Sequence, residues 1–190
     1  MCIRDSYTRP HPPIIRACAS EEATLEMARA GRPFLMNVQS NDVTRHRVEL
    51  YRRTMREGGF DEAVIARNLA DTWVWRNVFV AETDAEAERL ALPAFEAQAT
   101  FRQAMRRRIY EEQGVLLKPE LTPAARSDPR HALLCGSPAT VAEAIAEIDA
   151  IGVGGLILVF RLGPMTAEVA EGSLRLFMQK VAPEFRKPGA

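Results

Sequence analysis

Residues 137–160, SPATVAEAIAEIDAIGVGGLILVF, hold the pattern that decides the fold. Ser137 followed by Pro138 is an N-cap with proline at the first helical position, where a missing N–H does no harm. Val141, Ala144, Ile145 and Ile148 then fall on one face of a helix over Ala139–Ile151. Gly152, Gly154 and Gly155 turn the chain, and Leu156–Phe160 is a continuous apolar run, as in a strand covered on both faces. A second amphipathic helix, Thr166–Val181, carries Val169, Leu174, Leu176 and Phe177 and stops just before Pro183.

Upstream the same alternation repeats. Trp73–Ala81 (WVWRNVFVA) has the aromatic and β-branched content of a strand. Thr83-Asp84-Ala85-Glu86 is a capping box that opens a long helix over Asp84–Glu112, with a kink expected at Pro93. Prolines and a glycine predict a variable, mobile loop over Gly114–Arg130. Nearer the start, Ile14–Ala19 and Phe34–Val38 are short apolar strands. Each leads into a helix, over Glu21–Ala30 and Val43–Glu57, and Phe60–Thr72 fits either a short helix or a loop. Four buried strands alternating with amphipathic helices predict a parallel α/β sheet with right-handed crossovers. Two architectures share that pattern, an open doubly wound sheet and half of a (β/α)8 barrel.

Composition narrows the function. Twenty-five basic residues balance 25 acidic ones, so no long-range field draws the chain to nucleic acid or to an anionic membrane. The longest apolar run is far short of the ~20 residues that cross a bilayer, and the reading is a cytoplasmic protein. Three cysteines at wide spacing fit neither a disulfide framework nor a zinc site. His11, His46 and His131 have no metal or triad spacing. Arg106–Arg108 reads as a solvated helix face. Met1–Ser6 has no periodicity and looks like a translated sequencing adapter. It is set aside as a non-native leader, and 7–190 is read as one truncated domain.

Three stretches carry a resemblance to the bacterial-luciferase-like flavin-dependent oxidoreductases: Pro10–Gly31 (PHPPIIRACASEEATLEMARAG), Val78–Ala87 (VFVAETDAEA) and Gly136–Arg186. The resemblance favours the barrel over the open sheet. It also implies that only the C-terminal half is present, since the stretches match the second half of the family's pattern. It further implies a flavin-dependent monooxygenase that uses reduced FMN and molecular oxygen on a small organic substrate. Its partners would include a flavin reductase, and the full-length protein would be a homo-oligomer. The fragment alone is expected to be inactive. A deazaflavin-dependent reductase or dehydrogenase, and a non-catalytic flavin-binding or partner subunit, are the alternatives.

Ser20 is the leading site residue. It follows a strand and caps the next helix, where free backbone N–H groups and the helix dipole favour a phosphate. The resemblance extends this cradle to Ala19, Ser20, Glu21, Glu22 and Thr24 as contacts to the FMN phosphate. The plainer reading is an N-cap worth ~1 kcal/mol with no ligand. Asn37, Gln39 and Arg161 follow strand ends and are candidates for contact with the flavin ring or substrate, or are ordinary surface polar residues. No catalytic residue and no metal site is assigned.

Overall fold

The computed structural model describes residues 7–9, 14–114 and 125–185. The leader, the prolines at 10, 12 and 13 with His11, most of the loop at 114–130 and the segment 186–190 lie outside the described residues.

The chain runs β1 (Arg16–Cys18), α1 (Glu21–Arg29), β2 (Phe34–Met36), α2 (Asn41–Glu57), α3 (Glu62–Ala70), β3 (Trp73–Val80) and α4 (Asp84–Glu112). It continues through α5 (Pro129–Ala132), β4 (Leu133–Gly136), α6 (Pro138–Asp149), β5 (Gly155–Val159) and α7 (Ala167–Leu176). A π turn over Phe177–Val181 and a 3-10 turn over Ala182–Phe185 follow. All strand pairings are parallel. The ambiguous stretch at 60–72 is a helix, α3, because the Asp61 side chain accepts the backbone N–H of Val64 and caps it. Pro93 sits inside α4, which continues through it.

Where the sequence suggests four strands, the sheet has five among the described residues. The addition is β4, whose four residues LLCG are too few to show alternation and whose place comes from pairing with β3. β1 and β2 are also shorter than their apolar runs. β1 has β2 as its one partner in the described sheet, in a register that runs only from Arg16↔Phe34 to Cys18↔Met36. Ile14 and Ile15 stay exposed ahead of it.

Every strand except β1 pairs with β3. Trp73 is in register with Leu35 of β2 and Gly155 of β5, and Asn77 with Leu133 of β4 and Val159 of β5. Both backbone edges of these two residues are therefore taken. The first four strands follow one another as in a barrel wall, but β5 pairs with β3 and not with β4.

Alternation along the strands sorts the side chains. Cys18, Phe34, Met36, Val74, Val78, Val80 and Leu134 share one face, buried under α1, α2, α3, α6 and the chain's last turns. Leu35, Trp73, Trp75, Asn77, Phe79, Leu133 and Ile157 point the other way. The Phe79 end of that second face is covered by Ala87, Ala91 and Phe95 of α4 with Leu162 and Met165. At its other end Trp73 and Ile157 are 44% and 36% exposed. Helices thus cover most of one face and part of the other.

Two tertiary contacts hold the C-terminal block in place. Asp84, the first residue of α4, accepts the backbone N–H of Ser137 at 2.6 Å and the Thr140 hydroxyl at 2.7 Å, tying the start of α6 to the start of α4. Gly154 lies so close to the end of α3 that a Cβ there would sit 1.7 Å from the Ala70 carbonyl oxygen. Its N–H donates to the Thr72 carbonyl at 2.8 Å.

Gly154→Ala should therefore destabilise the protein by more than about 3 kcal/mol, because backbone must move. Gly172→Ala, on α7 with nothing within 4 Å of the added carbon, should stabilise it by about 0.5–1 kcal/mol. Chemical denaturation of both variants checks the pair, and equal effects would contradict the packing described. The Ser137 N–H, then the Thr140 and Ser137 hydroxyls, hold the Asp84 carboxyl below its ordinary value. A depressed carboxyl contributes stability above its unfolded pKa and loses it as pH falls through the folded one. Asp84→Asn should lower Tm at neutral pH, and the gap to the parent should close as pH drops below about 4.

Candidate functional site

Because the strands are parallel, their C-terminal ends form a single rim, and the βα connections leave from it. Most of these connections end in a capping hydroxyl. Ser20 accepts the N–H of Ala23, Ser40 that of Val43, Thr83 that of Glu86, Ser137 that of Thr140 and Thr166 that of Val169. Local chemistry forces this, since the first N–H groups of a helix have no partner inside it. Ser20 is thus one of a set, and its cap geometry alone does not single it out.

What differs is the setting. Ser20 is exposed at the end of β1, with its Oγ 3.2 Å from the Ala23 nitrogen, so the hydroxyl proton stays free to be donated. The two carboxylates that follow it are drawn aside. Glu21 lies 3.2 Å from Nε2 of His46, and Glu22 accepts from Arg29 at 3.2 Å. The N-terminal amides of α1 are therefore not covered by their own acidic side chains. Thr24 does not join them: it is fully buried and its hydroxyl donates to the Ser20 carbonyl at 3.2 Å, bracing the first turn from inside.

Directly behind the cap lies Arg47 of α2, only 7% exposed. Its Nη2 donates to the Ala19 carbonyl at 3.1 Å, while Nη1 is buried with no hydrogen-bond partner among the described residues. Burial, the largest influence, pulls the guanidinium below its ordinary pKa, against a smaller opposing pull from Glu21. Sequence reading, which placed a helix over Val43–Glu57, did not single out this residue. The signal was there, since Arg47 stands four residues before Tyr51 and eight before Met55, on the buried face.

Asn37 and Gln39 follow β2, the neighbour of β1, and are bonded to each other, Gln39 Nε2 donating to Asn37 Oδ1 at 3.2 Å. Arg161 follows β5, and its Nε turns back to the Met165 carbonyl at 3.4 Å. Among the described residues no hydrogen bond or ion pair joins Arg161 to Ser20 or to Asn37. Deeper in the sheet, Arg76 is 1% exposed and donates to Asn41 Oδ1 at 3.3 Å, its pKa drawn down by burial to about 10. On the opposite face of β3, Trp75 Nε1 and Asn77 Oδ1 are buried without a partner among the described residues. Cys135 is half-buried, and burial with the nearby Glu88 and Asp84 raises its thiol to about 12, far from a reactive thiolate.

No group of three His, Cys, Asp or Glu residues that could hold a metal ion occurs among the described residues, and none of the described helices is long and apolar enough to cross a membrane.

Comparison with solved structures places the fold. Monooxygenase RslO1 from Streptomyces bottropensis is 23% identical, with a TM-score of 0.69 over 97% of this chain and 51% of that one. The oxygenating constituent of 3,6-diketocamphane monooxygenase from Pseudomonas putida, a type II Baeyer-Villiger enzyme solved with FMN, is 22% identical with a TM-score of 0.64, covering 94% of this chain and 50% of that one. The coenzyme F420-dependent tetrahydromethanopterin reductase of Methanopyrus kandleri is 14% identical with a TM-score of 0.59, covering 92% and 51%. At these identities the likeness is one of fold, and the chain spans about half the length of the structures it matches. No curated protein matches it significantly. The sheet is accordingly part of a luciferase-like barrel. The profile of the luciferase-like monooxygenases matches residues 2–154, well over half of the sequence, and the chain belongs to that family.

Proposed function

We propose that this chain supplies the phosphate-binding half of a flavin-dependent monooxygenase. The observation that carries the reading is the start of α1, where an exposed serine hydroxyl and uncovered helix amides follow a barrel strand while Glu21 and Glu22 are held aside by His46 and Arg29. Such an end favours a phosphate through its N–H groups and its dipole. In this reading Ser20 donates to a phosphate oxygen and the amide N–H groups of Glu21 and Glu22 donate to the others. Ala19 sets the direction of the turn, and Thr24 steadies it from below. Asn37, Gln39 and Arg161 leave from the same rim and are the groups available to the flavin ring or the substrate. Reduced FMN would supply the electrons with which molecular oxygen is activated and one oxygen atom is passed to a small organic substrate. The chain's own share is to bind, orient and keep water out. A flavin reductase would deliver the reduced cofactor, and the whole protein would act as a homo-oligomer.

A second reading has a specific observation behind it. F420-dependent enzymes share the fold, among them a secondary alcohol dehydrogenase with a TM-score of 0.61 over 94% of this chain. In that reading a deazaflavin occupies the same rim and the reaction is hydride transfer without oxygen. Titrating the protein with FMN and with a deazaflavin cofactor, each followed by fluorescence, separates the two by relative affinity.

Ser20→Ala should weaken FMN binding by about 1–2 kcal/mol, the worth of one hydrogen bond to a charged oxygen. Helix content should barely change, because a lost cap costs only ~1 kcal/mol. If FMN affinity stays the same while Tm falls, Ser20 is a cap and nothing more, and the phosphate belongs elsewhere.

A further inference from the structure

A buried guanidinium whose Nη1 has no hydrogen-bond partner among the described residues needs a physical explanation. Arg47 lies on the buried face of α2 among Thr44, Val48, Tyr51 and Met55, where an apolar side chain would pack at no electrostatic cost. A buried charge without a bonded counter-ion typically costs several kcal/mol. Glu21 acts on Arg47 only through space, its carboxylate being 3.2 Å from His46. The bond that Arg47 does make is to the Ala19 carbonyl, the residue just before the Ser20 cap. That fixes the guanidinium behind the first peptide of the α1 N-terminus, with Nη1 left over.

The start of α2 is a useful contrast. Ser40 caps it with the same geometry, and Thr44 returns to the Ser40 carbonyl as Thr24 does to that of Ser20. The buried arginine beside that end, Arg76, has an acceptor in Asn41 Oδ1. The α1 end therefore combines an exposed capping hydroxyl, uncovered amides and a buried cation with a free donor.

We propose that Arg47 is the counter-charge of an anion site at the N-terminus of α1, selective for a phosphate monoester over a neutral group. The inference rests on the phosphate reading given above and adds a residue to it. The dianion takes its hydrogen bonds from Ser20 and the α1 amides, and Arg47 supplies the positive charge behind them. Arg47 is a positioning residue: it orients the Ala19–Ser20 peptide and makes the site prefer charge.

The test compares FMN with riboflavin, which carries the same ring and ribityl chain without the phosphate. Both are titrated into the parent protein and into Arg47→Met, Arg47→Lys and Ser20→Ala. Arg47→Met should raise the Kd for FMN about tenfold and leave that for riboflavin within about twofold. Arg47→Lys, which keeps the charge, should restore most of the preference. A purely structural arginine would shift both ligands together, and riboflavin binding reports whether each variant still folds. If Ser20→Ala lowers the FMN preference and Arg47→Met does not, the phosphate reading stands and the role of Arg47 is overturned. If the parent protein fails to prefer FMN over riboflavin, the phosphate reading falls, and the inference with it.

Discussion

The structure depends on the double-sided hydrogen bonding of β3. Eight residues long, it carries β2 and β5 against its first half and β4 against its second, so every other strand except β1 is anchored to it directly. Its two faces support the two halves of the core. Val74, Val78 and Val80 pack under the helices of one side, and Phe79 under α4 on the other. Strands of three to five residues would make poor sheets alone, since a short ladder cannot offset the entropy of ordering it. Pairing with one long strand, buried from Arg76 to Val80, makes them cooperative.

The same constraint shapes the rim. Parallel pairing to β3 brings the C-terminal strand ends to one side of the molecule and sends each chain into a helix there. That places the N-terminal helix amides, the positive ends of the helix dipoles, around the place where a barrel of this kind binds its ligands. Capping hydroxyls satisfy part of that demand, and Asp84 satisfies more by bridging α4 to the Ser137 turn. The α1 end is left with donors to spare. The pairing of Glu21 and Glu22 with His46 and Arg29 is weak as a source of stability, because exposed ion pairs contribute little, but it keeps two negative charges away from the amides.

The open end of the second sheet face fits the chain's coverage of about half of its matched structures. Trp73 lies across Gly155, with ring atoms 3.2–3.3 Å from where a Cβ would sit, so that face is shaped by a ring packed on bare backbone. Trp75 Nε1 and Asn77 Oδ1, on the same side, are without a hydrogen-bond partner among the described residues. A face of that character is what a barrel interior offers to the remaining wall.

Local chemistry was legible in the sequence, and for a definite reason. Helix starts at Ser20, Thr83 and Ser137 depend on a hydroxyl and an N–H three residues away, so any window of a few residues reveals them. The apolar runs at 34–36, 73–80 and 155–159 announce strands because their residues are contiguous, but β5 is only half-buried and not covered on both faces, its Ile157 being exposed. What the tertiary structure decided is everything that requires a distant partner. LLCG became a strand because β3 offered it an edge, and β5 paired with β3 although β4 precedes it in the chain. Gly154 is required only because Ala70 of α3 comes to rest against it. Arg47 reads as one more charge on a polar helix until α2 is laid on β1, when its guanidinium is buried against Ala19. Capping is a property of neighbours in the chain, whereas pairing, burial and the stranding of a charge are properties of neighbours in space.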